Sequence, residues 1–140
     1  MGLSVLFAQV RRTGRGEIES DSSSPFLAKN MNVVGDVRGR NCLIVDDMCD
    51  TGGSLTKVAR ALRDAGAERI HACFTHPVFS GRAVEQLAQS DIEKVIVTNT
   101  IPLRDHACEL DKIKVLSIAP LLAKAIKSIH EETSVSSLFV

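Results

Sequence analysis

Three carboxylates, a threonine, two glycines and a serine share the run Asp46-Asp47-Met48-Cys49-Asp50-Thr51-Gly52-Gly53-Ser54. These residue types suit a phosphorylated sugar. Neighbouring carboxylates can accept hydrogen bonds from neighbouring ribose hydroxyls. Gly52 and Gly53 let the backbone approach an anion, because no Cβ stands in the way. The N–H groups that open a following helix, with the Thr51 and Ser54 hydroxyls, can then donate to a phosphate. Blander readings exist: Asp50 can cap a helix starting near Gly53, and paired glycines can mark only a tight turn. Carboxylates stacked beside a phosphate are costly unless sugar hydroxyls or a metal ion use them. The whole run between a strand and a helix favours the sugar-phosphate reading.

The elements that must position this run are legible on both sides of it. Asn41 to Val45 reads as a buried strand, and Leu55, Val58, Ala59 and Leu62 recur on one face of a helix that Gly66 stops near Ala65. Strands follow at Ile70 to Thr75, Lys94 to Thr98 and Ile113 to Ile118. Helices follow at Gly81 to Gln89, capped by Ser80, and from Pro120 to about Glu131. Asn32 to Val34 reads as a short strand and 37–40 as a turn. Alternating β and α at this spacing predicts an α/β fold, a parallel sheet with helices on both faces. Ligands on such sheets sit at the strands' carboxyl ends, where 46–54 and Thr75-His76 fall. Residues 1–30 differ: Ser4 to Val10 reads as a strand, followed by a basic stretch, 11–16, and a Ser- and acid-rich stretch, 17–25, read as a mobile loop.

Composition narrows the classes. The chain has 140 residues, 44% hydrophobic and 24% charged, enough for one domain with a sizeable core. Net charge is zero, which gives no electrostatic case for nucleic acid or an anionic membrane. Trp and Tyr are absent, so the usual base-stacking platforms are missing apart from Phe. No apolar run approaches a membrane span, and 1–8 is too short and uncharged for a secretory signal. Leu6 stands where N-myristoylation wants a hydroxyl. Cys42, Cys49, Cys73 and Cys108 show no CxxC spacing, and Cys42 and Cys73 are expected as small buried hydrophobes, not as a disulfide or zinc framework. The expected compartment is cytoplasmic.

The run 46–54 resembles the phosphoribosyl-binding motif of type I phosphoribosyltransferase folds, in the form carried by ribose-phosphate pyrophosphokinases. Asn32-Val33-Val34-Gly35-Asp36-Val37, Thr75-His76-Pro77-Val78-Phe79-Ser80-Gly81, Thr98-Asn99-Thr100-Ile101-Pro102-Leu103 and Ser134-Val135-Ser136-Ser137-Leu138-Phe139 are similar to stretches of that family, in family order. The resemblance covers residues 31–140 as a phosphoribosyltransferase-like domain, the C-terminal half of such a synthetase.

That resemblance implies ribose 5-phosphate and ATP as substrates, Mg2+ as cofactor, and AMP and phosphoribosyl pyrophosphate as products. It implies Asp46, Asp47, Asp50, Thr51, Gly52, Gly53 and Ser54 as the sugar-phosphate site. Arg11-Arg12 matches the arginines of a mobile Lys-Arg-Arg loop, with Arg12 meeting the transferring pyrophosphoryl group, which is chemistry of positioning and charge stabilisation. Val10 stands where the family has lysine. An ordinary basic solvated loop fits Arg11-Arg12 as well. Ser80, Ser134 and Phe139 are implied in a phosphate-responsive regulatory site between subunits, although 134–140 also reads as a frayed tail. His76 is placed near the sugar, and reads equally as a satisfied structural histidine. His71, His106 and His130 have no partners at ligand or triad spacing, and His130 suits a helix C-terminus. The family's N-terminal domain, with much of the ATP site and its metal-binding histidine, and its pyrophosphate loop have no counterpart in residues 1–30.

Four functions compete on these residues. One is the synthetase itself, incomplete as this chain alone. A second is a non-catalytic subunit associated with a full-length synthetase, favoured by Val10 and the stretch 17–25. A third is a base-specific phosphoribosyltransferase, which needs a pyrophosphate loop and a hood over the base. A nucleotide-binding Rossmann domain is set aside, because no G-x-G-x-x-G follows a first strand. A homo-oligomer, or association with a full-length synthetase, is expected.

Overall fold

A computed structural model of the chain describes Leu6–Phe7 and residues 36–139. The strand expected over Ser4 to Val10 is seen at Leu6–Phe7; the strand expected at Asn32 to Val34, and Val10, Arg12 and 17–25, lie outside the described residues.

The described strands are β1 (Leu6–Phe7), β2 (Asn41–Cys49), β3 (Arg69–Pro77), β4 (Lys94–Thr98) and β5 (Ile113–Leu116). They form one sheet in the order β1-β2-β3-β4-β5, and every pairing is parallel. The helices are α1 (Gly53–Asp64), α2 (Ala83–Gln89), α3 (Asp105–Cys108) and α4 (Ala119–His130), followed by a 3-10 turn, Val135–Phe139. The expected parallel α/β sheet is therefore what forms. Among the boundaries that differ from the sequence expectation, those of β2 and α2 bear on the site. β2 continues through Asp46, Asp47 and Met48, because Met48 and Cys49 still pair with His76 and Pro77 of β3. α2 starts at Ala83, not Gly81, and Ser80 does not cap it. Phe79 and Gly81 both take left-handed φ values, +45° and +56°, so no helix can begin across them.

Side chains alternate across the strands. Cys42 and Ile44 of β2, Ile70, Ala72 and Phe74 of β3, Val95 and Val97 of β4 and Ile113 of β5 are buried on one face. Leu55, Val58, Ala59 and Leu62 of α1 and Ala83, Val84 and Leu87 of α2 complete that core, with Ala107 from the β4–β5 connection. Leu62 and Leu87 are almost wholly buried; truncating such a leucine to alanine typically costs about 2–5 kcal/mol.

Two cations close the layer. Arg63 donates to the carbonyls of Ala67 and Glu68 at 3.0 and 2.7 Å, just past the end of α1, where Gly66 (φ +94°) stops the helix as expected. Lys112 Nζ donates to Leu87, Ala88 and Ser90 carbonyls at 3.0–3.2 Å, satisfying the C-terminal end of α2.

The opposite face is different. The row Val45–Cys73–Ile96–Lys114 runs across it, flanked by Leu43 and Leu116. Val45 is 50% and Leu116 58% exposed, and Cys73, expected buried, is only half-buried. The topology supplies the reason. Right-handed crossovers that always step to the same side of a sheet lay their connections on the same face, and this strand order steps one way throughout. α4 has no buried residue and packs against the 3-10 turn, leaving Leu122, Ile126 and Ile129 exposed at i, i+4 and i+7.

Candidate functional site

The carboxyl ends of β2 and β3 and the start of α1 meet in a groove of about 1050 Å³, lined by Asp46, Asp47, Asp50, Thr51, Gly52 and Ser54, with Thr75 across from them. Six of the seven residues expected to hold a sugar phosphate line this groove; Gly53 opens α1 beside it. Asp46 and Asp47 are exposed at the end of β2, and Asp46 Oδ1 accepts the Asp47 N–H at 2.9 Å. That bond orients the Asp46 carboxylate and leaves its second oxygen for a ligand.

Gly52 carries the turn into α1. Its φ is +79°, a conformation that glycine adopts without steric cost, and its carbonyl accepts the Thr56 N–H at 3.0 Å to start the helix. No side chain caps α1, so Asp50 is not the cap that one reading allowed. The first-turn N–H groups therefore lack an intrahelical or side-chain partner among the described residues, which is the condition for anion binding at a helix start.

Asp50 is engaged elsewhere. Its carboxylate accepts a short hydrogen bond from the Ser80 hydroxyl, while its carbonyl accepts the Ser80 N–H at 3.0 Å and the Cys49 carbonyl accepts the Phe79 N–H at 2.9 Å. Ser80 thus joins the loop. Ser134 and Phe139 lie on the terminal segment that packs against α4, and no hydrogen bond among the described residues links them to Ser80.

Cys49 sits buried inside the motif. Burial first, then the charges of Asp50 and Asp46, push its thiol up to about 11, so it stays protonated and unreactive at neutral pH.

A polar cluster that the sequence left without a role lies beside the groove. The Thr98 and Thr100 hydroxyls lie 2.6 and 2.8 Å from the Thr75 carbonyl and donate to it. Thr100 Oγ1 also lies 3.0 Å from Thr98 Oγ1 and shares a hydrogen bond with His76 Nδ1 at 3.0 Å. The run Thr98-Asn99-Thr100 was the available signal; nothing in its spacing told which carbonyl it would meet. Asn99 Oδ1 in turn accepts the Ile118 N–H at 3.0 Å and ties the entry of α4 to β4.

Among the described residues no group of three or more His, Cys, Asp or Glu gathers as a metal site. The described residues therefore do not make a dedicated Mg2+ cage.

This architecture, a parallel sheet with the loop at its carboxyl end, is the type I phosphoribosyltransferase fold. It is similar to the crystal structure of phosphoribosylpyrophosphate synthetase from Mycobacterium smegmatis, with a TM-score of 0.67 and 42% identity, covering 71% of this chain and 33% of that one. A family model described as the phosphoribosyl synthetase-associated domain matches residues 16–140. The ribose-phosphate pyrophosphokinase of Listeria ivanovii is 48% identical over 122 residues, 87% of this chain and 38% of the relative. That of Caldanaerobacter subterraneus subsp. tengcongensis is 52% identical over 113 residues, 81% of this chain and 35% of the relative. The chain belongs to the phosphoribosyl synthetase-associated domain family. It spans 38% of the length of the Listeria relative it matches.

Proposed function

We propose that the 46–54 unit is the ribose 5-phosphate site of a ribose-phosphate pyrophosphokinase-type protein. The observation that carries this reading is the uncapped start of α1, reached through Gly52 three residues after a strand whose carboxyl-terminal part carries two exposed carboxylates, Asp46 and Asp47. Asp46 and Asp47 accept from the ribose 2- and 3-hydroxyls. The amides of 51–54, with the Thr51 and Ser54 hydroxyls, donate to the 5-phosphate. The sugar's 1-hydroxyl oxygen is then presented to the β-phosphorus of ATP. There the O–P bond forms, the bond to the α–β bridging oxygen breaks, the hydroxyl proton passes to solvent and AMP leaves with the bridging oxygen. Arg12 neutralises charge on the transferring group. Mg2+, if bound, would supply charge neutralisation at the nucleotide phosphates; no cluster among the described residues would hold it by itself.

The chain alone is read as inactive. The chain matches 38% of the length of the Listeria relative, and Val10 puts no charge where the resemblance places lysine. One missing preorganised charge typically costs about 10²–10³ in rate. The purified chain is expected to form no phosphoribosyl pyrophosphate from ATP and ribose 5-phosphate, and Val10→Lys alone restores none. Turnover by the unmodified chain, with contaminating synthetase excluded, contradicts this.

A homo-oligomer is the association that the open sheet face supports. Parallel sheets are found covered by helices on both faces, and α4 is an apolar-faced helix without a sheet to cover. We read the occupant as a second copy, the α4 of each chain lying on the open face of the other. Exposed Val45, Leu116, Leu121, Leu122, Ile126 and Ile129 would put on the order of 1,000 Å² into such a pair, the lower end of a specific interface. The compartment is read as cytoplasmic; no helix among the described residues is long and apolar enough to cross a membrane.

A further inference from the structure

The Ser80–Asp50 hydrogen bond is the feature that the sugar-phosphate reading leaves unused. Asp50 stands at the first position of the loop, where a carboxylate near an incoming phosphate would repel it. Within the loop, no hydrogen bond among the described residues holds the Thr51 or Ser54 side chain, and the first internal tie is Thr56 on the Gly52 and Gly53 carbonyls. The loop is instead held from outside. Phe79 and Ser80 donate their N–H groups to the carbonyls of Cys49 and Asp50, and the Ser80 hydroxyl adds the side-chain bond to the Asp50 carboxylate.

The conformation of the bracing segment is unusual. Phe79 is buried, with φ +45°, and Gly81 follows at +56°. A left-handed phenylalanine is costly and persists only where its surroundings hold it; here the buried ring and its N–H bond to Cys49 do so. The double kink places the Ser80 hydroxyl at Asp50 and delays α2 to Ala83. α2 then comes against the loop: a Cβ built on Gly52 would meet the Ala83 backbone at 3.5 Å.

We propose that Ser80 is a positioning residue for the phosphate loop, drawing the Asp50 carboxylate aside by its hydrogen bond and holding residues 50–54 in the conformation that receives the 5-phosphate. This rests on the reading of 46–54 as a ribose 5-phosphate site. Ser80 touches no substrate in this account; it acts through Asp50. The effect needs the hydroxyl, so the variant that keeps one, Ser80→Thr, retains it.

The experiment uses the full chain with Ser80→Ala, Ser80→Thr, Asp50→Ala and the double variant Asp50→Ala/Ser80→Ala, with two readouts. One is amide hydrogen exchange at Thr51, Gly52, Gly53 and Ser54 without ligand. The other is calorimetric affinity for ribose 5-phosphate. Ser80→Ala is expected to speed exchange at those amides and weaken affinity about 3- to 10-fold, the worth of one net hydrogen bond. Ser80→Thr restores both, and the double variant is no weaker than Asp50→Ala alone. Unchanged exchange and unchanged affinity in a folded Ser80→Ala chain overturn the proposal. Faster exchange in Ser80→Ala, with no ribose 5-phosphate binding by the unmodified chain, supports the brace and overturns the sugar reading instead.

Discussion

Gly52 lies against the backbone of Ala83: a Cβ built on Gly52 would stand 3.5 Å from both Ala83 Cα and its carbonyl oxygen, and the φ of Gly52 is +79°. The space is ordinary van der Waals contact, so the backbone angle and not a clash decides what a side chain would do there. An L-residue in that conformation costs about 1–2 kcal/mol. Gly52→Ala is expected to lower stability by that amount in chemical denaturation and to weaken ribose 5-phosphate binding beyond it, since relief of the strain moves the loop amides. Equal stability and equal affinity would contradict the assignment of this glycine.

Cys49 ties stability to alkaline pH. Its thiol is raised from 9.0 to about 11 by burial and then by Asp50 and Asp46. The folded chain therefore holds the proton more tightly than the unfolded chain. The stability this gives is complete below pH 9 and is lost as pH rises through about 11. A shift of that size corresponds to roughly 2–3 kcal/mol. Urea unfolding at pH 8 and pH 10.5 is expected to show a fall that Cys49→Ala reduces. At pH 7.5 a thiol reagent is expected to modify exposed Cys108 first and Cys49 last.

Ile126 reports on the open face. It is 67% exposed on α4, so Ile126→Glu costs the isolated protomer little. Light scattering of the unmodified chain at tens of micromolar is expected to give a dimer, and Ile126→Glu a folded monomer. A monomer in both removes the paired-face reading.

Much of the fold was legible because the core pattern is regular. Leu55, Val58, Ala59 and Leu62 give α1 its face, and Lys94 to Thr98 was placed to the residue. The loop was legible because its chemistry is rare in that order. What the sequence hid depends on contacts far along the chain. β2 outlasts its apolar stretch because Met48 pairs with His76. Ser80 turns from the helix it was expected to cap because Asp50, thirty residues earlier, accepts its hydroxyl. Lys112, which no spacing singled out, closes α2. The open face was hidden too, since a strand such as Lys94 to Thr98 reads the same whether one or both of its faces is covered.

The central claim is that residues 50–54 receive the phosphate of ribose 5-phosphate and that Asp46 and Asp47 hold its hydroxyls. A nitrogen–proton NMR titration of the folded chain with ribose 5-phosphate tests it most directly. The account predicts saturable shifts concentrated at Asp50, Thr51, Gly52, Gly53 and Ser54, weakened about tenfold or more by Asp47→Ala, the cost of losing a charged hydrogen-bond acceptor, and untouched by Asp111→Ala. No shift at millimolar ligand, or shifts that Asp47→Ala leaves as they were, would contradict it.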